Sequence, residues 1–276
     1  MTRLPTAALV ASVLAAHAGA DVLVLTSVKD NTVIEDPSGD YSAGKAQYFF
    51  AGKVGVNGGN TLRRGALQFD FSAIPAGSTI QSVSLRLTCG SAGVNSQYAV
   101  SLHRFTASWG EGASVAFGGG GALAEPGDVT WDHRFYPDVP WAVPGGEFAA
   151  TASATRNVGA TGNYTWASTA GLVADVQAWL DNPKSNHGWC VRGNESIGQS
   201  VKRFDSREAG ASTRPQLTVV FEPPSANPYD LNGDGLVGGA DLAILLSQWG
   251  GAGSADFDGN GIVGGPDLAQ LLGAWG

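Results

Sequence analysis

The chain ends by stating one pattern twice, and few folds accommodate it. DLNGDGLVGGADLAILLSQWG begins at Asp230, and DFDGNGIVGGPDLAQLLGAWG begins at Asp256. Each copy opens with side-chain oxygens at alternate positions: Asp230, Asn232 and Asp234, then Asp256, Asp258 and Asn260. Glycine occupies the sixth position (Gly235, Gly261) and aspartate the twelfth (Asp241, Asp267).

Calcium takes six to eight hard oxygens at about 2.3–2.6 Å, and a tight twelve-residue loop delivers them from its first, third, fifth, seventh and twelfth positions. The sixth residue must reverse the chain, which glycine does without steric cost. The seventh, Leu236 or Ile262, contributes only its carbonyl. The ninth, Gly238 or Gly264, has no side chain and leaves its place to water. The expectation is two Ca2+ ions. One lies in loop 230–241, on Asp230, Asn232, Asp234, Leu236 and Asp241. The other lies in loop 256–267, on Asp256, Asp258, Asn260, Ile262 and Asp267. Solvent-facing acidic turns would not need the spacing repeated in phase.

A short amphipathic helix follows each loop. Leu242, Leu245, Leu246 and Trp249 fall at i, i+3, i+4 and i+7, and Leu268, Leu271, Leu272 and Trp275 repeat the spacing. Each stripe is too short to hold a helix alone, so two facing stripes are expected to form one small core with Val237 and Val263 beside it. Neither loop has an entering helix: the approaches are EPPSANPY and GGAGSA.

Two such half EF-hands resemble a type I dockerin over the last 47 residues. That resemblance implies a calcium-binding module that docks onto a cohesin-like domain or another cell-surface component. The calcium pattern carries over residue by residue. The Ser/Thr pair that dockerins commonly place at loop positions ten and eleven is replaced by Gly239-Ala240 and Gly265-Pro266.

At the other end, Arg3, the apolar run Ala7–Ala16 and Ala18-Gly19-Ala20 before Asp21 read as a signal peptide over 1–20. An apolar run of that length is too short to span a bilayer, and no later segment is apolar enough. The expectation is an exported, secreted or cell-surface protein with no transmembrane segment. The net charge of −8 collects at the C-terminus, where seven acids and no Lys or Arg occur from Glu222 onward. With no basic face, nucleic acid is not an expected partner.

Residues 21–221 carry period-two patterning. Leu67, Phe69 and Phe71; Val83, Leu85 and Leu87; Tyr98, Val100 and Leu102; and Leu217, Val219 and Phe221 alternate with polar residues between turn signals. Many short strands with little helix predict a mainly β domain, a β-sandwich of jelly-roll type. One helix is expected near Leu172–Leu180, ending before Asn182-Pro183. A linker is expected over 222–229, before the calcium-loop module at 230–276. Cys89 and Cys190 leave two readings open, one disulfide or two buried thiols.

Several phrases of this body occur together: RGALQFDFSAIPAGSTIQSVSLRL, VTWDH, PWAVPGGEF, VQAWL, GWCVRG and FDSREAGASTRPQLTVVF. Their order and spacing resemble the DNRLRE family of exported β-sandwich modules, related to the family-96 carbohydrate-binding modules. The resemblance implies a jelly roll that accompanies polysaccharide breakdown or binds acidic polysaccharide. The name-giving motif stands here as Asp205-Ser206-Arg207-Glu208, and the usual PGGD as Pro144-Gly145-Gly146-Glu147.

Candidate chemistry concentrates in 109–148. Trp109, Trp131, Tyr136 and Trp141 offer faces for sugar rings, and Arg134 with His133 offers charge for an anionic sugar. The same tryptophans also suit plugs at the end of a sandwich. Against catalysis, the chain has neither H-E-x-x-H nor G-x-S-x-G. Glu111, Asp128, Asp132, Asp138 and Glu147 are the carboxylates from which a hydrolase pair could come; Tyr136 with Arg134 and His133 could be drawn as a lyase site. His103 reads as a surface histidine. The leading expectation is a non-catalytic polysaccharide-binding or attachment protein. A polysaccharide-cleaving enzyme and a surface or matrix protein without glycan ligand are the alternatives.

Overall fold

A computed structural model describes residues 20–224 and 227–276, which divide into two compact units, Ala20–Pro224 and the segment from 227 on. The expected signal peptide lies outside the described residues except for Ala20. No described helix is long and apolar enough to cross a membrane.

The larger unit is mainly β. In chain order its first strands are β1 (Asp21–Thr26), β2 (Lys29–Ile34), β3 (Tyr41–Ser42), β4 (Tyr48–Lys53), β5 (Leu62–Gln68), β6 (Thr79–Ala92) and β7 (Tyr98–Arg104). The short β8 (Ala122–Leu123), β9 (His133–Phe135) and β10 (Val139–Pro140) follow, then β11 (Ala154–Val158) and β12 (Gly162–Trp166). Helix α1 (Ala170–Asp181) precedes β13 (Trp189–Arg192), β14 (Lys202–Asp205) and β15 (Gln216–Glu222). Since β15 runs through Glu222, that residue belongs to the sheet and not to a linker.

Eleven strands form one curled antiparallel sheet in the order β1-β15-β6-β14-β4-β5-β13-β7-β11, with β12 beside β6 and β2 beside β5. The curl brings the two halves of the sheet onto one core. From one half come Val83, Leu85, Leu87, Leu217 and Val219; from the other come Leu67, Val100, Leu102, Trp189 and Val191, all fully buried. Each such side chain contributes roughly 1.5–3 kcal/mol by leaving water. Gly65 is required here, because a Cβ would sit 2.6 Å from the Phe49 ring. Helix α1 closes one side of the core with Leu172, Val176 and Trp179, and Thr169 Oγ1 caps it by accepting from the Leu172 N–H at 3.1 Å.

The second half is covered on its outer face as well. Ala66 and Cys190 alternate with Leu67 and Trp189, and they pack outward against Val33, Phe105, Trp109, Val129 and Trp141. The cover is the long excursion between Phe105 and Phe148, whose ends are tied by a bridge between those two residues. Phe105 stacks on Trp141 at 5.8 Å. The outer cover explains one departure from the sequence reading. His103 is a buried histidine, not a surface one: its Nε2 lies 2.9 Å from Ser101 Oγ and its Nδ1 2.9 Å from the Ala149 carbonyl. Of the two readings left open for the cysteines, the structure has the second: Cys89 and Cys190 are both buried, unbridged thiols, and burial pushes the Cys190 thiol up to about 12.

The smaller unit contains α2 (Gly239–Ser247) and α3 (Gly265–Gly273). Its core is Val237, Leu245, Ala255, Val263 and Leu271, with Leu242, Leu268, Tyr229 and Phe257 partly buried around it. The expected stripes are wider than this core uses. Leu246, Trp249, Leu272 and Trp275 stay about half exposed, at 48–52 %. An internal two-fold relation is visible in the backbone: Gly250 N–H donates to the Val263 carbonyl at 2.9 Å, and Gly276 N–H to the Val237 carbonyl at 3.2 Å.

Candidate functional site

The two acidic loops fold alike because their aspartates take up loop amides. In the first, Asp230 Oδ1 accepts from Gly233 and Asp234 at 2.8 and 3.2 Å, and its Oδ2 accepts from Gly235 at 2.8 Å. In the second, Asp256 accepts from Asn260 at 3.1 Å and from Gly261 at 2.8 Å. Gly235 and Gly261 both take φ +90°, the left-handed turn expected at the sixth position. Gly233 and Gly259, at the fourth, also take positive φ (+73° and +70°). The fourth-position glycines were equally legible in the repeat.

The twelfth-position aspartates close each loop onto its helix. Asp241 Oδ1 accepts from Leu231 and Asn232 at 2.8 and 3.1 Å, and Oδ2 from Gly238, the residue before α2, at 2.8 Å. Asp267 repeats this with Phe257, Asp258 and Gly264 at 2.8, 3.2 and 2.8 Å. The Gly238 N–H holds the Asp241 carboxyl below its ordinary value, with burial opposing. For Asp267 burial pushes upward, but the N–H groups of Gly264, Asp258 and Phe257 together outweigh it, and its carboxyl too is lowered.

This donor set fits a hard divalent cation. Carboxylate oxygens of Asp256, Asp258 and Asp267 all lie within 4.8 Å of one another, about twice a calcium–oxygen distance. Each loop carries three carboxylates and one amide, in swapped order: Asn232 Nδ2 donates to Asp234 at 2.8 Å, and Asn260 Nδ2 to Asp258 at 2.8 Å. Among the described residues the carbonyls of Leu236 and Ile262, expected as ligands, accept no hydrogen bond. Their side chains are exposed, at 65 % and 56 %.

The aromatic candidates of 109–148 do not share one face. Trp109 and Trp141, at 1 % and 4 % exposure, belong to the outer core and offer no ring to a ligand. Trp109 Nε1 donates to the His187 carbonyl at 2.8 Å, and Trp141 Nε1 to the Thr130 carbonyl at 3.2 Å. Sequence could not tell these plugs from ligand platforms, because the segment has no period that assigns faces. Trp131, Arg134 and Tyr136 are half-buried. The Arg64 guanidinium lies 4.8 Å over the Trp131 ring. Arg134 Nη1 donates to Ser108, 3.2 Å to the carbonyl and 3.1 Å to Oγ. Tyr136 meets His133 edge to face at 5.5 Å.

Three of the five candidate carboxylates there, Glu111, Asp128 and Glu147, are engaged in the fold; Asp132 and Asp138 make no side-chain hydrogen bond or ion pair among the described residues. Asp128 is fully buried and accepts from the Glu125 N–H at 2.8 Å, and Glu147 accepts from the Ala142 N–H at 2.6 Å. Glu111 holds the most. Arg207 grips it in a fork, Nε to Oε1 at 2.7 Å and Nη2 to Oε2 at 3.0 Å, Lys45 pairs with it, and the Asp30 N–H donates to it at 3.1 Å. Arg207 also lies 3.0 Å from Glu208. The Asp205–Glu208 motif thus ties β2 and the outer cover to the segment after β14, through residues 80–180 positions apart that no local pattern connects.

Asp30 is the strained member of this network. Burial pushes its carboxyl from 3.8 up to about 7, the Arg207 N–H pulls the other way, and Glu208 and Glu111 add repulsion. Because the folded value is the higher one, the stabilising proton is fully bound below about pH 4 and lost as pH rises through 7. Unfolding free energy measured in urea is therefore expected to carry a falling component across that window, up to about 1.4 kcal/mol per pH unit. Asp30→Asn should remove it; an unchanged slope in the variant would contradict the assignment.

No protein-family model matches the chain, and no curated protein matches it.

Proposed function

We propose that the chain is an exported, non-catalytic polysaccharide-binding or attachment protein held in place by a calcium-dependent docking module at its C-terminus. The observation that carries the reading is the duplicated loop–helix unit. Two loops of similar hydrogen bonding each carry three carboxylates, gathered within 4.8 Å of one another in the second loop, and the carbonyls of Leu236 and Ile262 would complete the oxygen set. When bound, calcium supplies the positive charge that lets three mutually repelling carboxylates share one loop.

The paired half EF-hands are read as dockerin-like. From residue 227 on the module has six acids and no cationic residue, and it exposes Leu246 and Trp249 in one copy, Leu272 and Trp275 in the other. An acidic, apolar face of this kind suits a neutral or basic partner, such as a cohesin-like domain or a surface component. The exposed Gly239-Ala240 and Gly265-Pro266 bring no side-chain hydrogen bonds, so docking would rest on the apolar residues.

The larger unit is read as a jelly-roll-type sandwich of the DNRLRE kind, whose ligand is an acidic polysaccharide. The engagement of Glu111, Asp128 and Glu147 in holding backbone and cations supports a binding role over bond cleavage. The test is retention of the full chain on immobilised acidic and neutral polysaccharides, read beside release of reducing ends and unsaturated uronates. Retention without product is the expected result. Product formation abolished by Tyr136→Phe would overturn the non-catalytic reading, and absence of retention on every glycan would favour a matrix role.

A further inference from the structure

Strands β11 and β12 are consecutive, yet each ends a different half of the sheet: β11 pairs with β7 and β12 with β6. Between them runs a groove of about 500 Å³ lined by Gln97, Thr155, Arg156, Asn157 and Tyr164. Its size falls within the range of small-ligand sites, roughly 300–1,000 Å³. The first four side chains are exposed, and among the described residues none of them makes a hydrogen bond or an ion pair.

The groove is held open by residues beneath it. Lys202 is fully buried, and its Nζ donates to the carbonyls of Val94, Ser96 and Gly159 at 2.6, 3.1 and 2.7 Å. That fixes the loop leading to Gln97 against the β11–β12 turn. Gly159 permits the close approach, since a Cβ there would meet the Asn95 carbonyl at 3.0 Å and Gln97 Cγ at 3.1 Å. The Tyr164 hydroxyl donates to the Ala160 carbonyl at 2.8 Å and accepts from the Gly159 N–H at 3.1 Å, which locks the ring.

A charged edge strand guards against edge-to-edge pairing, but that role needs no concavity, no anchored ring and no buried clamp. Side chains alternate along β11, so Arg156 lies on the side of Ala154 and Val158, and Thr155 and Asn157 lie on the other. Tyr164, paired with the inward Leu87, lies on the side of Arg156, where the groove offers one guanidinium and one aromatic ring. A single fork-shaped cation suits a carboxylate better than a phosphate cluster. A tyrosine ring suits the C–H face of a sugar.

We propose that this groove binds one carboxylated sugar unit of an acidic polysaccharide, with Arg156 on the carboxylate and Tyr164 against the ring. The proposal rests on the polysaccharide-binding reading above and gives it a site outside 109–148.

The test is titration calorimetry of the full chain with tetragalacturonate, alongside affinity electrophoresis in gels containing polygalacturonate or a neutral β-glucan. The net charge of −8 disfavours diffuse attraction to a polyanion, so retention reports a site. Arg156→Gln is expected to weaken tetragalacturonate binding about tenfold or more, with Arg156→Lys intermediate, because one charge-assisted fork is lost. Circular dichroism and melting temperature should stay unchanged, since Arg156 is exposed. Acidic-glycan binding that survives Arg156→Gln but is lost in Trp131→Ala or Arg134→Gln would overturn this site and leave the functional reading standing. Retention on the neutral glucan alone would overturn the carboxylate. No binding to any glycan would overturn both.

Discussion

Replacing Asp241 and Asp267 together by asparagine is expected to abolish the stabilisation that calcium would give to residues 227–276 under the proposed reading. Each carboxylate accepts from two loop amides with Oδ1 and from the residue before its helix with Oδ2. Asparagine keeps one acceptor and turns the other into an N–H₂ facing an N–H donor. One bond per loop is lost, and so is one of the three negative charges. Loss of a helix-capping contact costs roughly 0.5–2 kcal/mol even without metal. With calcium at a hundredfold excess over its Kd, each intact site would add about 2.7 kcal/mol, and the double variant is expected to gain almost none of it. The amide resonances of Gly235 and Gly261, followed during thermal unfolding of the full chain with and without calcium, measure this directly. Equal calcium-dependent shifts in parent and variant would show that the twelfth position is not a ligand.

Lys202→Met is expected to be the most damaging single substitution in the larger unit. The side chains are similar in size, so the change opens no large cavity. What it removes is a buried ammonium bonded to three carbonyls drawn from two separate loops. Burial pulls this lysine below its ordinary value, with the nearby Cys89 opposing. Without the ammonium those carbonyls face one another unpaired, and each such group costs about 1–3 kcal/mol. A loss of about 3–5 kcal/mol in urea unfolding, at unchanged m-value, is the expected result. A loss below about 1 kcal/mol would mean that the loops hold themselves together, and the preformed groove would lose its support.

How much of this could be read from the chain depends on what each pattern encodes. Val83, Leu85, Leu87, Leu217 and Val219 alternate cleanly and are fully buried in β6 and β15. The helix expected at Leu172–Leu180 extends over Ala170–Asp181 with Thr169 as its cap. The loop glycines take the positive φ their position demands. Alternation reports only which side chains share a face, not whether that face meets water. His103 and Cys190 lie outward on strands whose outer side is covered by a distant segment, so both are buried. Trp109 and Trp141 sit in that covering segment, where no period separates core from surface. The same limit applied in reverse to Leu246 and Leu272: they continue an apolar stripe, yet no described residue covers them fully. Glu111 and Arg207 are joined by tertiary structure alone.

The central claim is that the repeated stretch opened by Asp230 and Asp256 is a pair of calcium sites. Calorimetric titration of calcium into the metal-stripped full chain tests it most directly. The expected result is two ions per chain, none in the Asp241→Asn/Asp267→Asn variant, with the Gly235 and Gly261 amide resonances shifting in step with the heat. Heat corresponding to no ion at millimolar calcium, or uptake that survives in the double variant, would contradict it.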